Sequence, residues 1–130
     1  MLEILPESQG NILWVRARGK LTDRDYREVF IPRLEAIIQE HGKVRLLFYL
    51  DPDFDGWSVG ALWEDLKLDW KHQSDFEKIA VVGAPRWAEV VTKIFARFMA
   101  GEVRTMLREQ LAEAWEWLQG KDALRQYRVD

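Results

Sequence analysis

Two stretches do most to fix what this 130-residue chain can fold into: VRLLFYL at residues 44–50 and IAVV at residues 79–82, with Phe76 just ahead of the second. A strand with one solvated face alternates apolar and polar residues. Continuous apolar runs need cover on both faces, the situation of parallel strands inside an α/β sheet. Parallel neighbours cannot be joined by tight turns, so each pair requires a crossover segment.

The intervening sequence supplies those crossovers. Residues 2–5 and 12–18 read as two strands joined by Glu7-Ser8-Gln9-Gly10-Asn11, a hairpin signal; Leu13, Val15 and Ala17 share one face, and Trp14, Arg16 and Arg18 the other. Thr22 followed by Asp25 forms a helix start of capping-box type. Tyr26, Val29, Phe30, Leu34, Ile37, Ile38 and His41 then recur at helical spacing up to Gly42, and Pro32 predicts a kink near the middle. Further helices are expected over residues 58–72, 85–99 and 108–119, and a short strand over 103–107. On the last helix, Leu111, Ala114, Trp115 and Leu118 share a face before Gly120 stops it.

The resulting order, ββαβαβαβα, predicts an α/β fold: an N-terminal hairpin, then a mostly parallel sheet with right-handed crossovers and about four helices. Residues 1–120 are expected to form a single domain, and 121–130 a loosely held tail.

Composition narrows the function. Hydrophobic residues make up 48% of the chain, enough for a sizeable core, and 22 acids against 19 Lys and Arg leave a net charge of −3. No basic run tracks a phosphate backbone, so no nucleic-acid partner is expected. Cysteine is absent, which fits a cytosolic setting and excludes thiolate metal sites. The opening MLEILPESQGN has acids and a proline where a signal peptide needs a basic start and an apolar run. No stretch approaches the roughly 20 apolar residues that span a bilayer. A cytoplasmic protein is expected, with the inner face of the membrane as its possible station.

Catalytic chemistry finds little support in the residues. LDPDFDG places Asp51, Asp53 and Asp55 at alternate positions before Gly56, like the opening of a calcium loop. The bidentate glutamate required at the twelfth position is replaced by Leu62, Pro52 occupies the second, and the preceding segment reads as a strand. These carboxylates therefore read as the solvated end of a parallel strand, and no metal site or cofactor is expected. His41 and His72 stand far apart in sequence and read as helix C-terminal residues favoured by the dipole. GAPRW after IAVV has one glycine, far short of a phosphate loop, though Arg86 could meet an anion there. No serine, histidine and acid grouping suggests a nucleophile, so the chain is expected not to be an enzyme.

Seven tryptophans are unusual for this length, and their placement is informative. On the helix expected from Ser58, residues Val59, Leu62, Trp63, Leu66 and Trp70 form a core stripe, which leaves Trp57, Ala61 and Leu68 on the outer side. On the helix at 85–99, Trp87, Ala88, Val90, Val91, Ile94, Phe95, Phe98 and Met99 cover roughly 180°, against the ~100° stripe of an ordinary surface helix. Arg86, Lys93 and Arg97 flank that face against the single acid Glu89. A broad apolar face rimmed by cations suits a lipid-like ligand or a headgroup layer. Trp57, Leu68, Trp87, Val91, Phe95, Phe98 and Met99 are accordingly the expected ligand or membrane contacts. Exposed aromatics would also suit a homodimer interface.

GKLTDRDYREVFIPRLEAIIQEHGKVRLLFYL, followed by DFDGW, ALWEDLK, DFEKIAVVG and the closing EAWEWL, resembles the SpoIIAA-like family of the STAS superfamily over about residues 10–119. That resemblance implies a βα superhelical sheet, no known catalytic activity and a binding role. STAS relatives act as anti-sigma-factor antagonists or as cytoplasmic domains of anion transporters, and this branch is compared with CRAL-TRIO lipid-binding domains. In the antagonist branch, a serine directly after an aspartate at the second helix start is phosphorylated. The matching dipeptide here is Asp55-Gly56, with glycine at the acceptor position. Ser58, the one hydroxyl nearby, reads as a helix cap. The resemblance thus makes Asp53, Asp55, Gly56 and Ser58 a partner-facing loop. The two expectations are a hydrophobic or lipid-like ligand held by the second and third helices, or a regulatory protein partner.

Overall fold

A computed structural model describes residues 1–61, 74–96 and 101–120; within the 86–96 helix, side-chain placement is described at all positions but 91 and 94–96. Five strands form the main sheet: β1 (Leu2–Ile4), β2 (Ile12–Ala17), β4 (Val44–Leu50), β6 (Phe76–Val82) and β7 (Glu102–Met106), in spatial order β1-β2-β4-β6-β7. Only β1 runs antiparallel, with Leu2 opposite Ala17 and Ile4 opposite Val15. The other pairs are parallel: Val15 faces Phe48, Phe48 faces Val81, and Val81 faces Thr105. The hairpin, the parallel run and the single-domain α/β class expected from sequence are all present.

Register decides which residues meet which layer. Leu13, Val15 and Ala17 line up with Leu46, Phe48 and Leu50, and this face packs against Tyr26, Phe30, Leu34 and Ile37 of the helix at residues 23–41. The reverse face carries Ile12, Leu47, Ala80 and Val82, and the Leu111–Leu118 helix covers it with Ala114, Trp117 and Leu118. Trp14 lies on this second face, its ring 5.1 Å from that of Trp115. Both faces of β4 are therefore dry, which is why VRLLFYL could dispense with alternation.

Three local features depart from the sequence expectation. Pro32, expected to kink the first helix near its middle, is met by a change of helix type. A π-helical turn at Tyr26–Phe30 precedes it, with the Ile31 amide bonding to the Tyr26 carbonyl, and Pro32 then falls in the first turn of the α-helix Ile31–His41. A proline needs no amide donor there, so the wide turn resolves the clash its ring would otherwise cause. Secondly, a separate two-stranded parallel sheet joins β3 (Lys20–Leu21) to β5 (Gly56–Trp57), pairing Lys20 with Gly56 and Leu21 with Trp57. Two-residue strands carry no readable period.

The third departure concerns the helix that opens at residues 59–61. Val59, expected on the core stripe, is 86% exposed, whereas Ala61, expected on the outside, is fully buried. The chain enters this helix directly from β5, and that pairing turns its first residues opposite to the phase read from the apolar spacing. Leu62, Trp63, Leu66, Leu68, Trp70 and His72 lie outside the described residues, as do Arg97, Phe98, Met99 and the segment 121–130.

Candidate functional site

The loop after β4 crosses the carboxyl end of the sheet, and several of its amides are paired with the strand that follows β2. Asp51 donates from its amide to the Ala17 carbonyl at 2.9 Å, and Phe54 donates to the Asp51 carbonyl at 2.9 Å. The Asp55 amide bonds the Gly19 carbonyl at 2.8 Å, and Ser58 bonds that of Leu21 at 2.7 Å. Residues 51–58 are thus sewn to the strand leaving β2.

The aspartates play different parts. Asp51 is 8% exposed rather than solvated, and its carboxylate accepts from the Arg16 guanidinium, with Nε at 2.9 Å. That hydrogen bond holds the Asp51 carboxyl below its usual range and raises Arg16 above its own; burial opposes both shifts. Asp53 is exposed, accepts from the Gly19 amide at 3.2 Å and pairs with Arg18 at 3.7 Å. Asp55 is exposed, and its carboxylate has no partner among the described residues.

Gly56, expected on the partner-facing loop, is buried. Its φ of +102° is one that side-chain-bearing residues avoid, and a Cβ there would lie 3.5 Å from the Trp87 ring. The glycine lets the backbone pass beneath that indole. Ser58 accepts from the Ala61 amide at 3.0 Å, the capping bond expected from sequence.

Above this loop three rings meet. Phe54 and Trp57 are 5.0 Å apart in a T-shaped arrangement, Phe54 and Trp87 stack at 6.1 Å, and Trp57 and Trp87 meet edge to face at 5.6 Å. Trp57 is anchored from below, its indole N–H donating to the Tyr26 hydroxyl at 2.9 Å. Trp57 therefore has cover from within the chain. Trp87 is covered on one side only: it is 50% exposed, and Val90, one turn along the same helix, is 59% exposed. Next to Trp87, Arg86 is exposed and has no acid partner among the described residues.

Of the expected contacts, Trp57 and Trp87 are brought together. Val91 and Phe95 lie on the Arg86–Ala96 helix with side chains outside the description, and Leu68, Phe98 and Met99 lie outside the described residues altogether. Phe54 was missed, although an aromatic set between two aspartates in a loop signals a ring with somewhere to pack. Arg108 was missed as well. Its guanidinium donates to the Leu50 carbonyl at 3.1 Å and the Gly83 carbonyl at 3.2 Å, tying together the carboxyl ends of β4 and β6. A Cβ at Gly83 would fall 2.8 Å from the Leu50 oxygen and 3.1 Å from Arg108 Nε, so this crossing needs glycine.

The hairpin-led, otherwise parallel sheet agrees with what comparison finds. The SpoIIAA-like family profile matches residues 12–119. This chain belongs to the SpoIIAA-like family. Within the STAS superfamily, the chain is similar to an uncharacterized protein of the DUF3478 family from Shewanella loihica PV-4, described as having a SpoIIAA-like fold. The two share 30% identity and superpose with a TM-score of 0.73, over 90% of this chain and 93% of the other. No curated protein matches the chain. SpoIIAA-like membership carries a STAS-type domain with it and leaves the ligand open. No helix among the described residues is long and apolar enough to cross a membrane.

Proposed function

We propose that this SpoIIAA-like chain is a non-catalytic domain that binds a hydrophobic or lipid-like ligand at the carboxyl end of its sheet. The observation that carries this reading is Trp87: half-exposed, yet held in place by Phe54 and Trp57. An indole kept rigid in water loses little entropy on binding, which favours it as an anchor. Val90, one turn along the helix from Trp87, extends the apolar surface, and Arg86, next to Trp87 in sequence, is available to an anionic headgroup. The same reading has a cytoplasmic protein make peripheral contact with the inner face of a membrane through its second and third helices.

Tryptophan emission and co-sedimentation with vesicles of anionic lipid, and separately with fatty acid, test the reading. A blue shift that Trp87→Phe reduces, with protein in the pellet, is the expected result. Unchanged emission and an empty pellet in both would overturn it. Size exclusion with and without detergent separates ligand binding from a homodimer formed through the same rings.

A second reading, a protein-interaction module of the anti-sigma-factor-antagonist type without the usual phosphoserine, is favoured by Asp55. Its unpartnered carboxylate directly precedes in sequence the buried Gly56, whose backbone passes beneath Trp87. Asp53→Asn with Asp55→Asn should then release a regulatory partner in a pull-down. An unchanged set of partners counts against this reading.

A further inference from the structure

At the opposite, amino end of the sheet, a cleft of about 390 Å³ opens between the β1–β2 turn and the first helix. Small-molecule sites occupy roughly 300–1,000 Å³, so the volume suffices for a compact ligand. Ser8 and Gln9 form one wall, Ile12 and Ile37 lie at the base, and Arg33, Glu40 and His41 stand along the helix side. The turn wall is firm: Ser8 Oγ accepts from the Trp14 amide at 2.9 Å, and Gln9 and Ile12 exchange backbone bonds at 2.9 and 3.0 Å.

Arg33 distinguishes this cleft from an ordinary surface groove. The same helix system pairs its two other arginines, Arg24 with Glu28 at 2.9 Å and Arg27 with Asp23 at 2.7 Å. Arg33 has Val29 and Ile37 four residues away and Phe30 and Ala36 three away, so no acid is within helical reach. Among the described arginines, only Arg33 and Arg86 bond neither an acid nor a carbonyl. A guanidinium beside an apolar base can take a carboxylate with two parallel bonds while the base covers hydrocarbon. Glu40 on the same wall disfavours a ligand carrying more than one negative charge.

We infer that this cleft binds a small monocarboxylate with a short aliphatic body, its carboxylate on Arg33 and its chain against Ile12 and Ile37. The site is independent of the aromatic cluster, which lies at the other end of the sheet.

Hexanoate titrated into the full chain, followed by two-dimensional amide NMR, tests the inference, with inorganic phosphate and hexanol as parallel titrations. Saturable shifts confined to residues 8–12 and 33–41 are expected with hexanoate and should be much weaker with either control. Arg33→Gln, an exposed substitution, should weaken binding roughly tenfold or more, and Arg33→Lys less. Three results overturn it: no saturable shift, equal response to phosphate, or shifts that persist in Arg33→Gln. Shifts gathered at residues 54–57 and 87 instead would also overturn it, while leaving the aromatic-site proposal standing.

Discussion

The Trp57 indole N–H donates to the Tyr26 hydroxyl at 2.9 Å, across 31 residues of sequence. Tyr26 is 1% exposed and sits in the π-helical turn of the first helix, so this bond ties the loop that follows β4 to the core beneath it. Tyr26→Phe keeps the ring and its edge contact with Phe30 but leaves the indole without this acceptor. A loss of about 1–2 kcal/mol in urea unfolding is expected, together with altered tryptophan emission. Identical midpoint and spectrum would mean that the hydrogen bond contributes nothing to holding the cluster.

Asp51 and Arg16 give the chain an acid-sensitive joint. Because the folded Asp51 carboxyl lies below its usual value, its stabilisation is complete above the unfolded carboxylate's titration and disappears as pH falls through the folded one. Arg16 stays charged across that window. Thermal unfolding followed from neutral pH into the acid range should show a steeper acid limb for the wild type than for Asp51→Asn. Parallel limbs would place the acid sensitivity elsewhere.

The parts of the fold legible in the sequence were those fixed by repeated burial. Val44–Leu50 and the run ending at Val82 announce strands because every position answers to a layer, and Leu13, Val15 and Ala17 alternate because one helix lies on their side. The site was legible only in part. Trp87 stood out through the breadth of its helix face, but Phe54 and Tyr26 reach Trp57 through contacts set by the β3–β5 pairing, and a two-residue strand leaves no pattern. Val59 and Ala61 were read with reversed faces because spacing gives the period of a helix, while the element it leaves sets its phase.

Lys78 and Arg45 close the last helix from the sheet side. Lys78 Nζ donates to the Trp117 carbonyl at 2.9 Å and lies 5.0 Å from the Trp117 ring centre; Arg45 donates to the Leu118 carbonyl. The Trp117 carbonyl also accepts from the Gly120 amide at 3.1 Å, so Lys78 adds a second donor there and meets the negative end of the helix dipole. Lys78→Met retains most of the aliphatic stem and removes the charge, so a loss of roughly 0.5–1.5 kcal/mol is expected in denaturant unfolding. Added salt should narrow the difference between the two proteins only slightly, because the contact is partly buried. A difference abolished by moderate salt would show the interaction to be a surface one.

Trp87 is where packing and binding can be separated. Its ring rests on Phe54 and Trp57, but half its surface already faces water, so truncation removes less buried area than at a core tryptophan. Trp87→Ser should therefore lower unfolding stability by about 1–2 kcal/mol, well short of the ~3–5 kcal/mol of a core truncation. Vesicle co-sedimentation should fall far more in the same variant, since an exposed aromatic anchor contributes mainly in the bound state. Leu34→Ala supplies the contrast: Leu34 is fully buried beneath the sheet, and its loss should cost stability without changing the vesicle affinity of the folded fraction. If Trp87→Ser proves as destabilising as Leu34→Ala and leaves vesicle binding intact, Trp87 is a packing residue, and the ligand face lies elsewhere.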